Sequence, residues 1–487
     1  MVLLVVLIFL GKVTGLSKDV LITAFFGISL DTDAFFLAVY VSSLLYIALY
    51  GSISLVVVPT YQSYKNNDIR EGGLNFAILS LVLLSILLSF ISYNFSGFIV
   101  SFFSSSESEY LTLISSEYLK LMVITYPLST CVGILNAISS VKSKPVYVYL
   151  NPVINNISFC VLIYFFNEGG GFEPILLGAI VTWFIILIVN LMGYRNLTYK
   201  MCNLLRDVKP SSSLLLVSGV SVSFALVEQM INFLPIYMST LFGDGVISYY
   251  TIASKLTLLF LSLSILIINT HLYPRFSKMG GIGLVGDLIK QYLPLLLSFL
   301  LSIVSFSIIF STGLVQIVFE RGQFNNNDTE GVAMIFSVMV VTIPFVLIKD
   351  LSTRALFSQG KGVACLKAIS IFSLIVIGFS IFGLNYLDFL ESLVVYVLFT
   401  ILFSLYMYFR LFAADGIKEV FILLVMILKY FFISILLSFF ISIVISDFYI
   451  SLIVYLVLYF FVMFVMKDDS FFKLCGIFSR RKNEKGF

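Results

Sequence analysis

Three lysines lie inside long apolar stretches of the sequence, Lys12 and Lys18 in one stretch and Lys255 in another. An ionised side chain at the centre of a membrane helix costs at least about 2.5–3.5 kcal/mol on insertion scales, so it normally faces a watery cavity or a partner. Lysine offers a compact point charge, which suits an anion such as a pyrophosphate. The three lysines therefore predict an anion-binding cavity. For Lys290 and Lys349, near predicted helix ends, we prefer the alternative that the lysine snorkels or pairs with a carboxylate.

Three carboxylates are candidates for the control of such a cavity. Asp19 and Asp33 bracket the first predicted outer turn, where they either pair with Lys18 or gate the outer mouth. Glu228 is the only acid in the middle of its predicted helix. A buried carboxylate can take up a proton or a sodium ion, so Glu228 is a candidate coupling site, with a structural ion pair as the alternative.

The sequence offers little for catalysis, metal binding or nucleic-acid binding. His271 is the only histidine, and the five cysteines are scattered without a CxxC pair. We therefore predict no metal site, no cofactor and no catalytic acid–histidine pair. A net charge of +3 is too small to indicate a nucleic-acid partner, and there is no clustered basic face, so no nucleic-acid partner is predicted. A membrane enzyme such as a glycan polymerase would need a large outer loop or such a pair, so the sequence does not favour an enzyme.

The composition indicates where these residues must be positioned. Of all residues, 60% are hydrophobic and 11% are charged, and the mean hydropathy is +1.08. Soluble domains have roughly 45–50% apolar and about 25% charged residues. A soluble protein of this composition would expose too much apolar surface, so the chain is predicted to be an all-α polytopic membrane protein.

Fourteen segments are long and apolar enough to span a bilayer, for which about 20 residues are needed. Their approximate ranges are 2–26, 33–60, 74–102, 109–140, 145–166, 174–194, 211–240, 246–273, 284–319, 331–358, 363–384, 392–411, 419–446 and 448–466. The odd-numbered connections together hold one basic residue, Arg321, whereas every even-numbered connection and the C-terminal tail carry lysine or arginine. Basic loops stay cytoplasmic. The pattern predicts that both termini lie inside.

The sequence also contains an internal repeat of six helices. In helices 4 and 10, Pro127 and Pro344 occupy corresponding positions, each ahead of a lysine-containing turn. Helices 1–2 and 7–8 share a Phe-Gly pair, a short loop and an aromatic motif, as in Phe26-Gly27 through Asp33-Ala34-Phe35-Phe36 and Phe242-Gly243 through Ser248-Tyr249-Tyr250. A repeat of even length places both copies in the same orientation, and such lobes form transporters with the substrate between them. We predict an N-terminal lobe (1–200), a C-terminal lobe (201–415), helices 13 and 14 (416–467) and a cytoplasmic tail (468–487).

Three motifs occur in order along the chain: Gly11-Lys12-Val13-Thr14-Gly15-Leu16-Ser17-Lys18-Asp19 with Thr32-Asp33-Ala34-Phe35-Phe36; Ser248-Tyr249-Tyr250 through Lys255 to Pro274-Arg275; and Phe319-Glu320-Arg321-Gly322-Gln323-Phe324. Together these motifs resemble one known family, the MurJ/MviN lipid II flippases of the multidrug/oligosaccharidyl-lipid/polysaccharide exporter superfamily. The resemblance extends over essentially the whole chain and includes the two helices beyond the repeat.

The resemblance implies alternating access by two lobes in the bacterial inner membrane. The substrate would be an undecaprenyl-pyrophosphate-linked glycan precursor, with its lipid tail in a groove lined by helices 13 and 14 among the membrane lipids. Lys12, Lys18 and Lys255 match family arginines that bind the pyrophosphate, and Asp33 matches a family acid. A further family arginine, near Leu45, is absent here. The implied substrate is therefore lipid II or a related O-antigen or capsule unit, and the proton, sodium and the membrane potential are the candidate driving forces. The alternative is a multidrug exporter of the same superfamily.

Overall fold

The structure is a computed structural model that describes residues 2–65, 71–104, 108–141, 146–167, 171–194, 212–267, 282–358, 361–383, 386–412, 415–445 and 447–465. These residues contain eighteen α-helices and no strand. The helices are α1 (Val2–Phe26), α2 (Leu30–Lys65), α3 (Glu71–Asn94), α4 (Ser96–Phe103), α5 (Glu109–Val123), α6 (Tyr126–Val141), α7 (Val146–Phe166), α8 (Glu173–Gly193), α9 (Ser212–Ser239), α10 (Val246–Ile267), α11 (Ile282–Ile309), α12 (Ser311–Phe319), α13 (Asn326–Met339), α14 (Thr342–Ser358), α15 (Gly362–Gly383), α16 (Phe389–Phe412), α17 (Gly416–Val444) and α18 (Phe448–Val465).

The described part of each of the fourteen predicted segments coincides with one helix or with two consecutive helices. Among the described residues, six helices are individually long and apolar enough to cross a membrane, and nine spans result if each of three bent pairs crosses once. The all-helical prediction is therefore confirmed, whereas the count of fourteen and the orientation stay predictions. His271, Pro274, Arg275 and the predicted tail at 468–487 lie outside the described residues.

Several predicted segments are bent or broken rather than straight. The segment at 74–102 bends by 81° between α3 and α4. The pair α5–α6 bends by 43° and the pair α13–α14 by 42°. In both of these pairs the second helix carries a proline in its first turn, Pro127 or Pro344. Proline is accepted in a first turn because the N–H that it lacks has no intrahelical partner there. The similar bends fit the sequence repeat, which pairs the fourth predicted span (109–140) with the tenth (331–358).

The described helices form two compact units. The first comprises residues 1–251, 319–325 and 366–389. In this unit α2 packs against α3, α5, α6 and α9, and α1 packs along α7. The ring of Phe172 stacks on Phe26 and Phe35 at centroid distances of 4.3 and 4.2 Å, and its backbone N–H donates to the Tyr118 hydroxyl at 3.1 Å. This aromatic cluster connects the α1–α2 hairpin to α5 and α8.

The second unit comprises residues 252–318, 326–365 and 390–487, and a polar seam joins α11 to α17 and α18 within it. The hydroxyls of Ser305 and Ser434 are 2.7 Å apart. Tyr455 and Tyr459 of α18 donate to the backbone oxygens of Ser302 and Ser298 at 2.8 and 2.7 Å. Interhelical hydrogen bonds from hydroxyl groups help to join helices in a bilayer, because apolar side chains pack against lipid as favourably as against protein.

Candidate functional site

The site is built around the α1–α2 hairpin, whose local structure follows standard capping rules. Gly27 directly follows α1 with a φ of +59°, the left-handed conformation that glycine adopts freely after a helix end. Ser29 then caps α2, since its Oγ accepts from the backbone N–H of Thr32 at 3.3 Å. The Thr32 hydroxyl donates to the Gly27 oxygen at 3.1 Å. These bonds fix the position of Asp33 in the first turn of α2.

Asp33 caps a helix that is distant in the sequence. Its Oδ2 accepts from the backbone N–H of Gly245 at 2.6 Å, and its Oδ1 accepts from the backbone N–H of Ser248 at 2.8 Å and from the Ser248 hydroxyl. The first N–H groups of a helix have no intrahelical partner, and the helix dipole favours a negative charge there. Asp33 is 1% exposed, so the carboxylate is buried against the start of α10.

A glycine permits this close approach. Gly245 has a φ of +86°, and a Cβ at this position would lie 2.8 Å from Cγ2 of Ile28 in the α1–α2 turn. A side chain at position 245 would therefore push the α10 terminus away from Asp33.

The turn between α12 and α13 docks on the same hairpin. The backbone N–H of Gln323 donates to the oxygen of Ala24 at 2.9 Å. Gly322 has a φ of +62°, and a Cβ there would lie 2.2 Å from that same oxygen. A Cβ on Gly27 would lie 3.1 Å from Cβ of Gln323. We name the contacts among Ala24, Asp33, Gly245, Ser248, Gly322 and Gln323 the hairpin latch. Two segments of the predicted C-terminal lobe thus contact one turn of the predicted N-terminal lobe within the first compact unit.

The structure places the predicted anion-binding lysines on two helices. Lys12 is exposed and Lys18 half-buried on α1, with Nζ of Lys18 5.4 Å from the ring centroid of Phe159. Their six-residue separation sets them roughly 120° apart around the helix axis. Lys255 is half-buried on α10 in the second unit. Lys12 and Lys18 thus share a helix but point in different directions from its axis.

The other predicted residues have the following positions. Asp19 is half-buried on α1, and Glu228 is half-buried on α9. Lys290 pairs with Glu419 at 2.7 Å and lies 4.6 Å from the centroid of the Phe412 ring, so the predicted carboxylate partner is confirmed for this lysine. Lys349 lies 3.8 Å from the carboxylate of its neighbour Asp350.

Comparison with known proteins identifies the family. The family model described as lipid II flippase MurJ matches residues 22–391, which include Asp33, Lys255 and Gly322. The chain belongs to the MurJ family. The matched range begins after Lys12 and Lys18. The match of these two lysines to family arginines therefore depends on the motif at 11–19 in α1. With its apolar helices, family membership makes the chain a multi-pass membrane protein.

Relatives and solved structures agree with the family assignment. A probable lipid II flippase MurJ of Buchnera aphidicola subsp. Baizongia pistaciae is 28% identical over 412 residues, 75% of this chain and 74% of that protein. A probable lipid II flippase MurJ of Aquifex aeolicus is 24% identical and covers 72% of this chain and 70% of its own length. The structure of a lipid II flippase MurJ in an inward closed conformation superposes with a TM-score of 0.80 at 20% identity, covering 96% of this chain and 99% of that one.

Multidrug transporters share the fold at a greater distance. An inward-facing MATE family transporter of the MOP superfamily gives a TM-score of 0.65 at 13% identity, and the match covers 84% of this chain and 94% of that one. The fold similarity is lower than that to the MurJ structure.

Asp33 is recognisable in the sequence as a candidate site residue, but its partners are not. Gly245 and Ser248 lie more than 200 positions from Asp33 along the chain, at sequence separations of 212 and 215. The signal for these partners in the sequence is Gly245 three residues before Ser248 at the start of α10, because the free N–H groups at a helix start can donate to a carboxylate from another helix.

Proposed function

We propose that this protein is a flippase that moves an undecaprenyl-pyrophosphate-linked cell-envelope glycan precursor from the inner to the outer leaflet by alternating access. The proposed substrate is lipid II, which appears in the names of the relatives, or a related O-antigen or capsule unit. The observation that carries the proposal is the cap that Asp33 forms on α10, in a chain of this transporter family.

Alternating access requires a contact that closes one side of the protein. This contact must be able to break without unfolding the segments that it joins. The hairpin latch has this character, since it consists of hydrogen bonds to backbone groups at helix ends and turns. Water can replace such partners when the contact opens, whereas an interdigitated apolar core has no replacement partner. In the predicted orientation the latch lies at the outer side. Asp33 then holds the outer mouth closed, and Asp19, half-buried on α1, is the second proposed gating residue.

Lys12, Lys18 and Lys255 are the proposed partners of the pyrophosphate. Each would supply one charge-assisted hydrogen bond to an anion that has left the headgroup region, and such bonds contribute roughly 1.5–3 kcal/mol each. Lysine lacks the bidentate fork of arginine, so the site selects for negative charge more than for phosphate geometry. Glu228 is the proposed site at which a proton or sodium ion, or the response to membrane potential, couples to transport.

Translocation of a fluorescent undecaprenyl-pyrophosphate disaccharide in proteoliposomes tests the proposal. We expect Lys12→Ala, Lys18→Ala and Lys255→Ala each to lower the rate about tenfold or more, since about 1.4 kcal/mol corresponds to tenfold. Each variant should still insert into the membrane, because removing a charge from a membrane helix does not make its insertion less favourable. Lys→Arg should be tolerated, and Lys→Glu should abolish transport by repelling the anion.

Lys367→Ala is the matched control, because Lys367 is exposed near the start of α15. Its transport rate should equal that of the unmodified protein. Wild-type transport by the triple alanine variant would refute the anionic substrate, and export of a cationic dye by that variant would support the multidrug exporter.

A further inference from the structure

The helix that carries Lys12 and Lys18 is bonded to α7 by one amide side chain. Nδ2 of Asn156 donates to the backbone oxygen of Gly11 at 3.1 Å and lies 3.5 Å from Oγ1 of Thr14. One turn further along α7, Sγ of Cys160 lies 4.0 Å from the Thr14 oxygen. The contact therefore lies within the segment of α1 between its two lysines.

Of the two glycines in this segment, Gly15 makes room for the contact. A Cβ on Gly11 would be in ordinary van der Waals contact with Val153, at 3.8 Å. A Cβ on Gly15 would lie 3.3 Å from Nδ2 of Asn156, which is tighter than a normal contact. Gly15 thus leaves the space in which a side chain of α7 reaches a main-chain oxygen of α1.

The direction of the bond fixes the rotation of α1 about its own axis. Apolar contacts between helices have little directional preference, but a hydrogen bond weakens steeply as its angle departs from linear. Side-chain tips lie about 5–6 Å from a helix axis, so a rotation of about 20° moves them by about 2 Å. A charge-assisted hydrogen bond is about 2.7–2.9 Å long, so a displacement of this size breaks it. The two lysines, which point in different directions, both depend on the same rotation.

We infer that Asn156 is a positioning residue for the anion site: it holds α1 in the rotation at which Lys12 and Lys18 reach one pyrophosphate. The inference rests on the proposed function, since it assigns Asn156 a role through those lysines. The ring of Phe159, next to Lys18 and one turn along α7, extends the same face. This face of α7 thus supports both ends of the lysine segment without supplying a charge of its own.

A double-mutant cycle in proteoliposomes distinguishes positioning from simple helix adhesion. We expect Asn156→Leu, which has similar volume and no donor, to lower transport about fivefold to tenfold, with a raised apparent KM for the pyrophosphate-linked glycan. In a Lys12→Ala, Lys18→Ala background, Asn156→Leu should cause no further loss, because the groups that it positions are absent. Thermal melting in detergent should change little, since interhelical hydrogen bonds contribute modestly in membranes.

Two further variants keep the test decisive. Gly15→Ala displaces Nδ2 of Asn156 from the α1 side and should give the same rate loss and the same dependence on the two lysines, even if Asn156→Leu inserts poorly. The control is Asn155→Leu, because Oδ1 of Asn155 is buried without a hydrogen-bond partner among the described residues and the side chain does not bond α1. Its transport should equal that of the unmodified protein.

The outcomes separate the two claims. If Lys12→Ala and Lys18→Ala transport normally, the proposed function fails. If those variants are impaired but Asn156→Leu costs the same factor with and without the lysines, or costs nothing, the positioning role is wrong while the anion site stands.

Discussion

Replacing Asp33 by asparagine keeps the size of the side chain but removes its charge and one of its acceptor atoms. The carboxylate of Asp33 accepts from three donors, the backbone N–H groups of Gly245 and Ser248 and the Ser248 hydroxyl. In Asp33→Asn, either Nδ2 faces the N–H of Gly245 or it faces both Ser248 donors. At least one hydrogen bond is therefore lost and replaced by a contact between two donors.

The magnitude follows from these bonds. A hydrogen bond to a charged group contributes roughly 1.5–3 kcal/mol, and a negative charge at a helix N-terminus contributes about 0.3–1 kcal/mol when exposed and up to about 2 kcal/mol when partly buried. When the latch opens, water hydrates the same groups and offsets part of both contributions. We therefore expect Asp33→Asn to destabilise the closed latch by about 1.5–3 kcal/mol, which shifts the equilibrium toward the open form by roughly 10-fold to 150-fold.

The assay is the labelling rate of a single cysteine by a membrane-impermeant maleimide in whole cells, in a protein with its native cysteines replaced. The reporter is Ala38→Cys, because Ala38 is fully buried on α2 about one turn beyond Asp33. The matched control is Asp31→Asn, which removes a carboxylate from the same first turn of α2. Asp31 accepts from the Tyr110 hydroxyl at 3.3 Å and not from α10, so its loss should leave the labelling rate unchanged.

A reporter that reacts equally fast with and without Asp33→Asn would refute the latch. Equal acceleration by Asp31→Asn would show that the charge of the α2 terminus matters and the cap on α10 does not.

Two further predictions concern the second half of the latch and the coupling site. Gly322→Ala should accelerate Ala38→Cys labelling as Asp33→Asn does, because its Cβ would lie 2.2 Å from the Ala24 oxygen. Gly243→Ala is the control for backbone strain alone, because Gly243 has a φ of +100° and no heavy atom lies within 4 Å of its Cβ. The reporter should react more slowly in Gly243→Ala than in Gly322→Ala. Glu228→Gln should preserve the amount of protein in the membrane but slow translocation and reduce its dependence on a proton gradient, a sodium gradient or the membrane potential. Transport by Glu228→Gln that matches the unmodified protein under every gradient would make Glu228 a structural residue.

The sequence predicts helices well in this chain because each span must satisfy its own backbone in lipid. Local rules also predict the hairpin, with Gly27 after α1 and Ser29 before α2. The bends are harder to predict, since Pro127 and Pro344 are compatible both with a continuous segment and with two helices. At 74–102 no proline marks the 81° bend between α3 and α4.

The contacts of the site depend on tertiary structure and escape the sequence. Asp33 is recognisable as an acid in a family motif, but its cap on α10 joins residues more than 200 positions apart. Asn156 lies in an apolar helix among residues that give no sign of α1, 145 positions away. A buried amide and a backbone oxygen leave no periodic pattern, because only one of the two partners has a side chain in the contact.

The polar seam of the second unit restricts the sequence of α18 more than that of α11. Tyr455 and Tyr459 donate to main-chain oxygens of α11, which every residue type supplies. Positions 298 and 302 can therefore vary among small residues without breaking the attachment, whereas a phenylalanine at either tyrosine position removes one hydrogen bond between the helices. We expect relatives of this chain to retain the two tyrosines on α18 more faithfully than the serines they reach. The last two helices would then stay joined to α11 while its own sequence changes.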